Sequence, residues 1–195
     1  MMDLNGKSLI LSSTSPRREK ILSEMDIIFS VEAKTRFQEK YDAQIPHEQI
    51  PILMSEGKSK GFHRELEKNE ILLTADTMVL LDDKAMGKPH HHKEAYEMLR
   101  TLSGKKHKVI TSVTLRDSKS MFTFTDTSYV YFNDLSEEDI KYYIDKYTPF
   151  DKAGAYGIQE WIGNIGISRI EGSFTNIMGL PSAKTYQELK KFAFR

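Results

Sequence analysis

One carboxylate sits where a carboxylate is costly. Residues 71–75 (ILLTA) and 77–81 (TMVLL) are apolar, β-prone runs, and Asp76 lies between them. Runs of this length and composition read as buried strands. A buried aspartate without a partner is strongly unfavourable, and a bound Mg²⁺ or an active-site water would supply the partner Asp76 needs. A turn or capping role for Asp76 is the plain alternative.

Around that pair of strands, helical and β-type segments alternate. Residues 7–12 (KSLILS) read as a buried strand, and Ser15 with Pro16 as the N-cap and first residue of a helix reaching about Met25. Residues 27–31 resume strand character. A polar loop follows over 32–47, then a helix from Ile50 to about Leu66. Asp82 and Asp83 turn the chain into a short returning strand near Met86. Residues 93–102 form an amphipathic helix stopped by Ser103-Gly104. Residues 106–116 and 121–131 pair as a hairpin across 117–120. Ser136 and Asp139 open a helix to about Tyr147. A glycine-rich stretch, a strand near 165–170 and a final helix from Pro181 complete the chain. Alternation with hairpins inside it predicts an α/β fold on a mixed β-sheet with flanking helices. The 195 residues suit a single domain, 1–195.

Composition removes several function classes. With 28 basic and 28 acidic residues the formal net charge is zero, which argues against a nucleic-acid-binding surface. The absence of cysteine rules out a thiol nucleophile and Cys-ligated metals. No run approaches the roughly 20 apolar residues that span a bilayer, and the first residues lack a secretory apolar core, so a cytoplasmic protein without membrane attachment is expected. Gly57-Lys58-Ser59 ends like a phosphate-binding P-loop, but position 52, where the first glycine belongs, is Ile52. His47-Glu48 lacks the second histidine of a zinc-protease helix. His90-His91-His92 reads as a surface turn, and Trp161 as a packing residue.

The charges that break local rules are more telling. Arg17 and Arg18 fall in the first turn of the helix opened by Ser15, the end that disfavours cations by a few tenths to about 1 kcal/mol each. An anion held between them and the free backbone N–H groups would reverse that cost. Ser13 and Ser15 could add donors. Two solvated surface arginines are the other reading. Lys58 and Lys88, the latter in Met86-Gly87-Lys88-Pro89, would complete a phosphate site if they converge there. In DKAGAYGIQ, small residues suit a loop lying against a ligand, with Gln159 able to read a base edge through its donor–acceptor amide.

LILSSTSPRR, TADTMVLL, MGKP, LSGKKHKVIT, DKAGAYGIQEWIG and IEGSFTNIMGLP resemble, in order and spacing, the signature blocks of the Maf family of nucleotide pyrophosphatases. The resemblance runs from about Leu9 to the last helix. It implies a fold like that of inosine triphosphate pyrophosphatase, built around a central cleft. It also implies hydrolysis of a nucleoside triphosphate to the monophosphate and pyrophosphate with a divalent metal, Mg²⁺ or Mn²⁺. On this resemblance Asp76 matches the catalytic acid. Arg17, Thr77 and Gln159 match the substrate-choice positions in the combination similar to the dTTP/UTP subfamily. Ser13, Arg18, Lys58 and Lys88 match phosphate positions, and Asp76 with Glu39 the metal positions. The Glu39 segment, RFQEKY, departs from the family's usual acidic run, and Glu160 stands where glycine is common. A nucleotide-sensing regulator of septum formation, binding without turnover, is the alternative. So is a phosphatase releasing orthophosphate. A homodimer is the suggested assembly, although no segment marks an interface.

Overall fold

The computed structural model describes residues 2–42 and 44–195. Its sheet is mixed, open and seven-stranded, in the order β2-β1-β3-β5-β6-β7, with β4 paired to β3. The strands are β1 (Ser8–Leu11), β2 (Phe29–Val31), β3 (Glu70–Leu81), β4 (Lys84–Met86), β5 (Lys106–Arg116), β6 (Met121–Phe132) and β7 (Ile167–Glu171). β1 runs parallel to both β2 and β3, whereas β3–β4 and β6–β7 are antiparallel. The flanking helices are α1 (Pro16–Glu24), α2 (Ile50–Lys60), α3 (His92–Leu102), α4 (Glu137–Tyr147), α5 (Trp161–Gly166), α6 (Phe174–Met178) and α7 (Ser182–Ala193). The expected α/β class holds.

Two compact units divide the chain. The first comprises Met1–Asp76, Thr111–Asp126 and Gly179–Arg195, and the second Thr77–Ile110 and Thr127–Met178. In the first unit, Leu9, Leu11, Ile21, Leu22, Ile50, Ile71, Leu73, Leu189 and Phe192 are almost wholly buried. In the second, Val79, Leu99, Val109, Val130, Phe132, Ile140, Tyr143, Tyr156 and Ile162 form one core cluster.

Three expectations need correction. The runs on either side of Asp76 are one strand, β3, because the carboxylate finds a partner and the ladder need not break. α2 stops at Lys60 rather than near Leu66, since the chain turns at Gly61 and Phe62 bridges to Thr35. Residues 161–166, expected as loop and strand, are helix α5, and α6 was not foreseen. Elsewhere local chemistry decides. Asp82 and Asp83 both take positive φ, the conformation of a tight hairpin turn. Ser136 Oγ accepts the Asp139 N–H and donates to its carboxylate, a side-chain clasp at the start of α4. His91 is the cap of α3, its Nδ1 accepting the Glu94 N–H at 3.2 Å.

Candidate active site

In the first unit, β1 delivers the chain into residues 12–15 and then α1. Pro16 occupies the first helical turn and Ser15 is extended, as its cap position requires, but its side chain makes no capping bond. Ser13 Oγ does the local work. It accepts the Ser15 N–H at 3.2 Å and one Arg18 Nη1 bond at 3.3 Å. Arg18 Nε also donates to the Gly179 carbonyl at 2.8 Å, which ties the guanidinium to the segment just before α7. Burial lowers the Arg18 pKa, with nearby Arg17 acting in the same direction and the carboxylates of Asp76 and Glu39 opposing it. Arg17, Arg18, Asp76 and Glu39 therefore share one electrostatic neighbourhood.

Its centre is Lys58 on α2. Nζ lies 2.6 Å from Asp76 Oδ1 and 2.9 Å from Glu39 Oε1. The Lys58 and Asp76 side chains are 17% and 15% exposed, so solvent screens their pairing weakly; Glu39, at 61%, is open to water. Burial raises the Asp76 pKa above its ordinary value of 3.8. Lys58 and Arg18 pull it down, and Glu39 adds to the rise. A carboxylate displaced upward yet still held by cations is a better proton acceptor than a surface aspartate.

Sequence reasoning did not supply the device that brings Glu39 to Lys58. Phe37, two residues earlier, lies on α2 where Gly57 and Gly61 leave room. A Cβ on Gly57 would stand 2.2 Å from Phe37 Cε2, and one on Gly61 would stand 2.8 Å from Phe37 Cβ. Arg36 N–H donates to the Gly61 carbonyl at 2.7 Å and Thr35 Oγ1 donates to it at 3.1 Å, pinning the loop at the end of the helix. Two glycines spaced i, i+4 on a helix were the available signal for such a close approach. Beneath α2, Ser55 Oγ is 2.9 Å from Ser112 Oγ and accepts from Thr114 Oγ1 at 3.0 Å, while Arg116 Nε donates to Ser59 Oγ at 3.1 Å. These buried bonds fix the helix against β5 and so fix the reach of Lys58.

Thr77, Lys88 and Gln159 belong to the second unit. Thr77 is half-buried on β3, while Lys88 and Gln159 are exposed. The segments carrying them meet at Gly154, whose N–H donates to the Gly87 carbonyl at 3.0 Å. Gly154 has φ +70°, and a Cβ there would approach the Val79 methyls at 3.2–3.3 Å, so the DKAGAYG loop packs on β3 where only glycine fits. Of the nine residues singled out in the sequence, six (Ser13, Arg17, Arg18, Glu39, Lys58 and Asp76) thus gather in the first unit and three in the second.

A family model described as Maf-like protein matches residues 8–192. The chain belongs to the Maf family. Among curated relatives, a dTTP/UTP pyrophosphatase of Bacteroides thetaiotaomicron is 48% identical over 189 residues, covering 97% of this chain and 98% of that protein. Proteins of the same name from Parabacteroides distasonis and Flavobacterium johnsoniae are 45% and 43% identical, covering 97% and 95% of this chain and 98% and 95% of their own lengths. Maf membership accounts for the order of the sequence blocks, and the geometry gives several of them a physical task. SSTSPRR anchors Arg18, MGLP supplies the carbonyl that Arg18 grips, and TADT places Asp76 against Lys58. Among the described residues no helix is long and apolar enough to cross a membrane.

Proposed function

We propose that the protein hydrolyses dTTP and UTP to the nucleoside monophosphate and pyrophosphate, and that residues 1–195 act as one catalytic domain. The observation that carries this reading is the buried Asp76 carboxylate paired with Lys58 beside Arg18 and Glu39. An acid with raised proton affinity set among fixed cations suits attack on a polyanion, because nucleotidyl transfer needs charge neutralisation and in-line positioning more than covalent help. The curated relatives, named dTTP/UTP pyrophosphatases and matched over nearly their whole length, support the same substrates.

In this mechanism Arg17, Arg18 and Lys58 bind the triphosphate oxygens and Ser13 holds Arg18 in place, while Lys88 is assigned to phosphate binding by its family position alone. Asp76 orients a water on the α-phosphorus and takes its proton. The bond from the α-phosphorus to the α–β bridging oxygen breaks, and pyrophosphate leaves opposite the attacking oxygen. Lys58 shifting from Asp76 toward incoming phosphate oxygens would strengthen the base when the substrate is in place.

The donor set fits a divalent cation. Among the described residues no cluster of three or more His, Cys, Asp or Glu forms a metal cage. Two hard carboxylates, Asp76 and Glu39, do converge on one point, and Mg²⁺ is characteristically held by one or two carboxylates plus substrate phosphates. Such a cation, Mg²⁺ or Mn²⁺, would offset phosphate charge and polarise the reacting phosphorus.

Thr77 and Gln159, with Arg17, are assigned to substrate choice. The Gln159 amide can accept from the N3–H of uracil or thymine and donate to an adjacent carbonyl; cytosine presents the reverse pattern at two of those atoms. The test is incubation with each common nucleoside triphosphate and Mg²⁺ or Mn²⁺, measuring pyrophosphate against orthophosphate. Pyrophosphate from dTTP and UTP is expected. Orthophosphate as the product, or tight binding without turnover, refutes the proposal, the latter in favour of a nucleotide sensor.

A further inference from the structure

Gln159 is exposed, yet its neighbours in the chain are buried or hydrogen-bonded. Ile158 is 5% exposed, and the Glu160 N–H closes a turn on the Gly157 carbonyl at 3.0 Å. A single buried phenol touches both ends of that turn. Tyr143, on α4, accepts the Gly157 N–H at 2.9 Å and donates its own hydrogen to Glu160 Oε2 in a short bond. The other carboxylate oxygen, Glu160 Oε1, lies 3.1 Å from Lys152 Nζ, whose side chain is only 9% exposed and is also 2.8 Å from Asp151 Oδ1.

We propose that Tyr143, Glu160 and Lys152 form a positioning device for Gln159, setting the angle at which its amide meets the pyrimidine and hence the preference for uracil and thymine over cytosine. This rests on the reading of Gln159 as the base-contacting residue. Both oxygens of Glu160 are used, one on the phenol and one on the ammonium, so a residue without a carboxylate could not join them. Stability alone is a poor reason for the arrangement. A buried ion pair is often no better than apolar packing of the same volume, whereas its directional bonds suit it to specifying one geometry. The bonds are also concentrated on the two ends of residues 157–160, the turn that carries the exposed amide. Burial and the Glu160 carboxylate both raise the Tyr143 pKa, so the phenol keeps the hydrogen it donates.

The experiment compares kcat/KM for UTP and for CTP, by pyrophosphate release, in the wild type and in Tyr143→Phe, Glu160→Ala and Gln159→Ala. Thermal melts confirm which variants fold. Tyr143→Phe keeps the ring and loses both bonds; Glu160→Ala, at a partly solvated site, keeps the test alive if the first variant does not fold. The UTP:CTP ratio is expected to fall about tenfold in each, the size of one well-aimed hydrogen bond. A structural role would instead lower both substrates by one factor. An unchanged ratio in Tyr143→Phe or Glu160→Ala, alongside a collapsed ratio in Gln159→Ala, overturns the positioning role. An unchanged ratio in Gln159→Ala, or equal wild-type rates on UTP and CTP, overturns the base-reading assignment and this inference with it.

Discussion

Gly57→Ala offers a severe test of how Glu39 is brought to Lys58. In an exposed helix, replacing glycine by alanine stabilises by about 1 kcal/mol. Here the new methyl would stand 2.2, 2.3 and 2.8 Å from three atoms of the Phe37 ring, closer than non-bonded carbons approach, so the ring must leave. Full burial of a phenylalanine side chain is worth about 1.5–3 kcal/mol, and Phe37 is half-buried, so displacing it costs about 1–1.5 kcal/mol. The two effects nearly cancel, and Gly57→Ala in the wild type should change stability by less than about 0.5 kcal/mol. In a Phe37→Ala background nothing opposes the helix gain, and the same substitution should stabilise by about 1 kcal/mol. The coupling energy of the double-mutant cycle is then about 1–1.5 kcal/mol, measurable by urea denaturation. Activity should separate from stability. Gly57→Ala frees residues 35–39, Glu39 leaves Lys58, and pyrophosphate release from dTTP should fall about tenfold or more without loss of fold. Additive stabilities, or full activity in Gly57→Ala, would refute the reasoning.

Asp76→Asn keeps the side-chain shape and removes the charge whose burial raises the Asp76 pKa. Turnover should drop about 10²–10⁴-fold while the melting temperature at pH 8 holds or rises; near wild-type turnover would remove Asp76 from the mechanism. His107, buried between Tyr156 and Phe132, has its pKa lowered from 6.5 to about 4, so its neutral form is the folded form. The stability this residue contributes is complete above about pH 6.5 and is lost as pH falls through 4, a change of about 3 kcal/mol. His107→Gln should flatten that part of the urea-denaturation profile between pH 7 and 4, and an unaltered slope would show that other groups set it.

The legible parts of this molecule are those whose cause is local. Ser15-Pro16 marks the start of α1, although Ser15 makes no capping bond, and Asp82-Asp83 as a tight turn and Ser136 with Asp139 as a helix cap behave as their residue chemistry requires. Asp76 was conspicuous because a carboxylate inside an apolar run demands a partner. The same feature misled on topology, since it looked like a break between strands, whereas Lys58 satisfies the charge and lets β3 continue. What stayed hidden depends on contacts between distant segments. Phe37 over Gly57, Arg18 on the Gly179 carbonyl, and Tyr143 joined to Glu160 have no signature within a short window. Helix α5 was missed for a related reason. WIGNIG has two glycines and low helix propensity, but buried Ile162 anchors it in the core of the second unit.

The charges around Lys58 also explain why a site of this kind would need a divalent cation rather than merely tolerate one. Arg17, Arg18 and Lys58 carry three positive charges in the neighbourhood of the two carboxylates of Asp76 and Glu39, which leaves the cluster a single net positive charge, far short of what offsets a triphosphate. Removing the carboxylates would attract the substrate more strongly but would discard the base. Keeping both places an anionic base and a second carboxylate beside an incoming polyanion, and burial of Asp76 makes that repulsion less screened than it would be at the surface. A divalent ion held by Asp76 and Glu39 would offset that repulsion while leaving Asp76 ionised and able to accept a proton. Lys58, which bridges both carboxylates, supplies the positive charge that holds them beside one another.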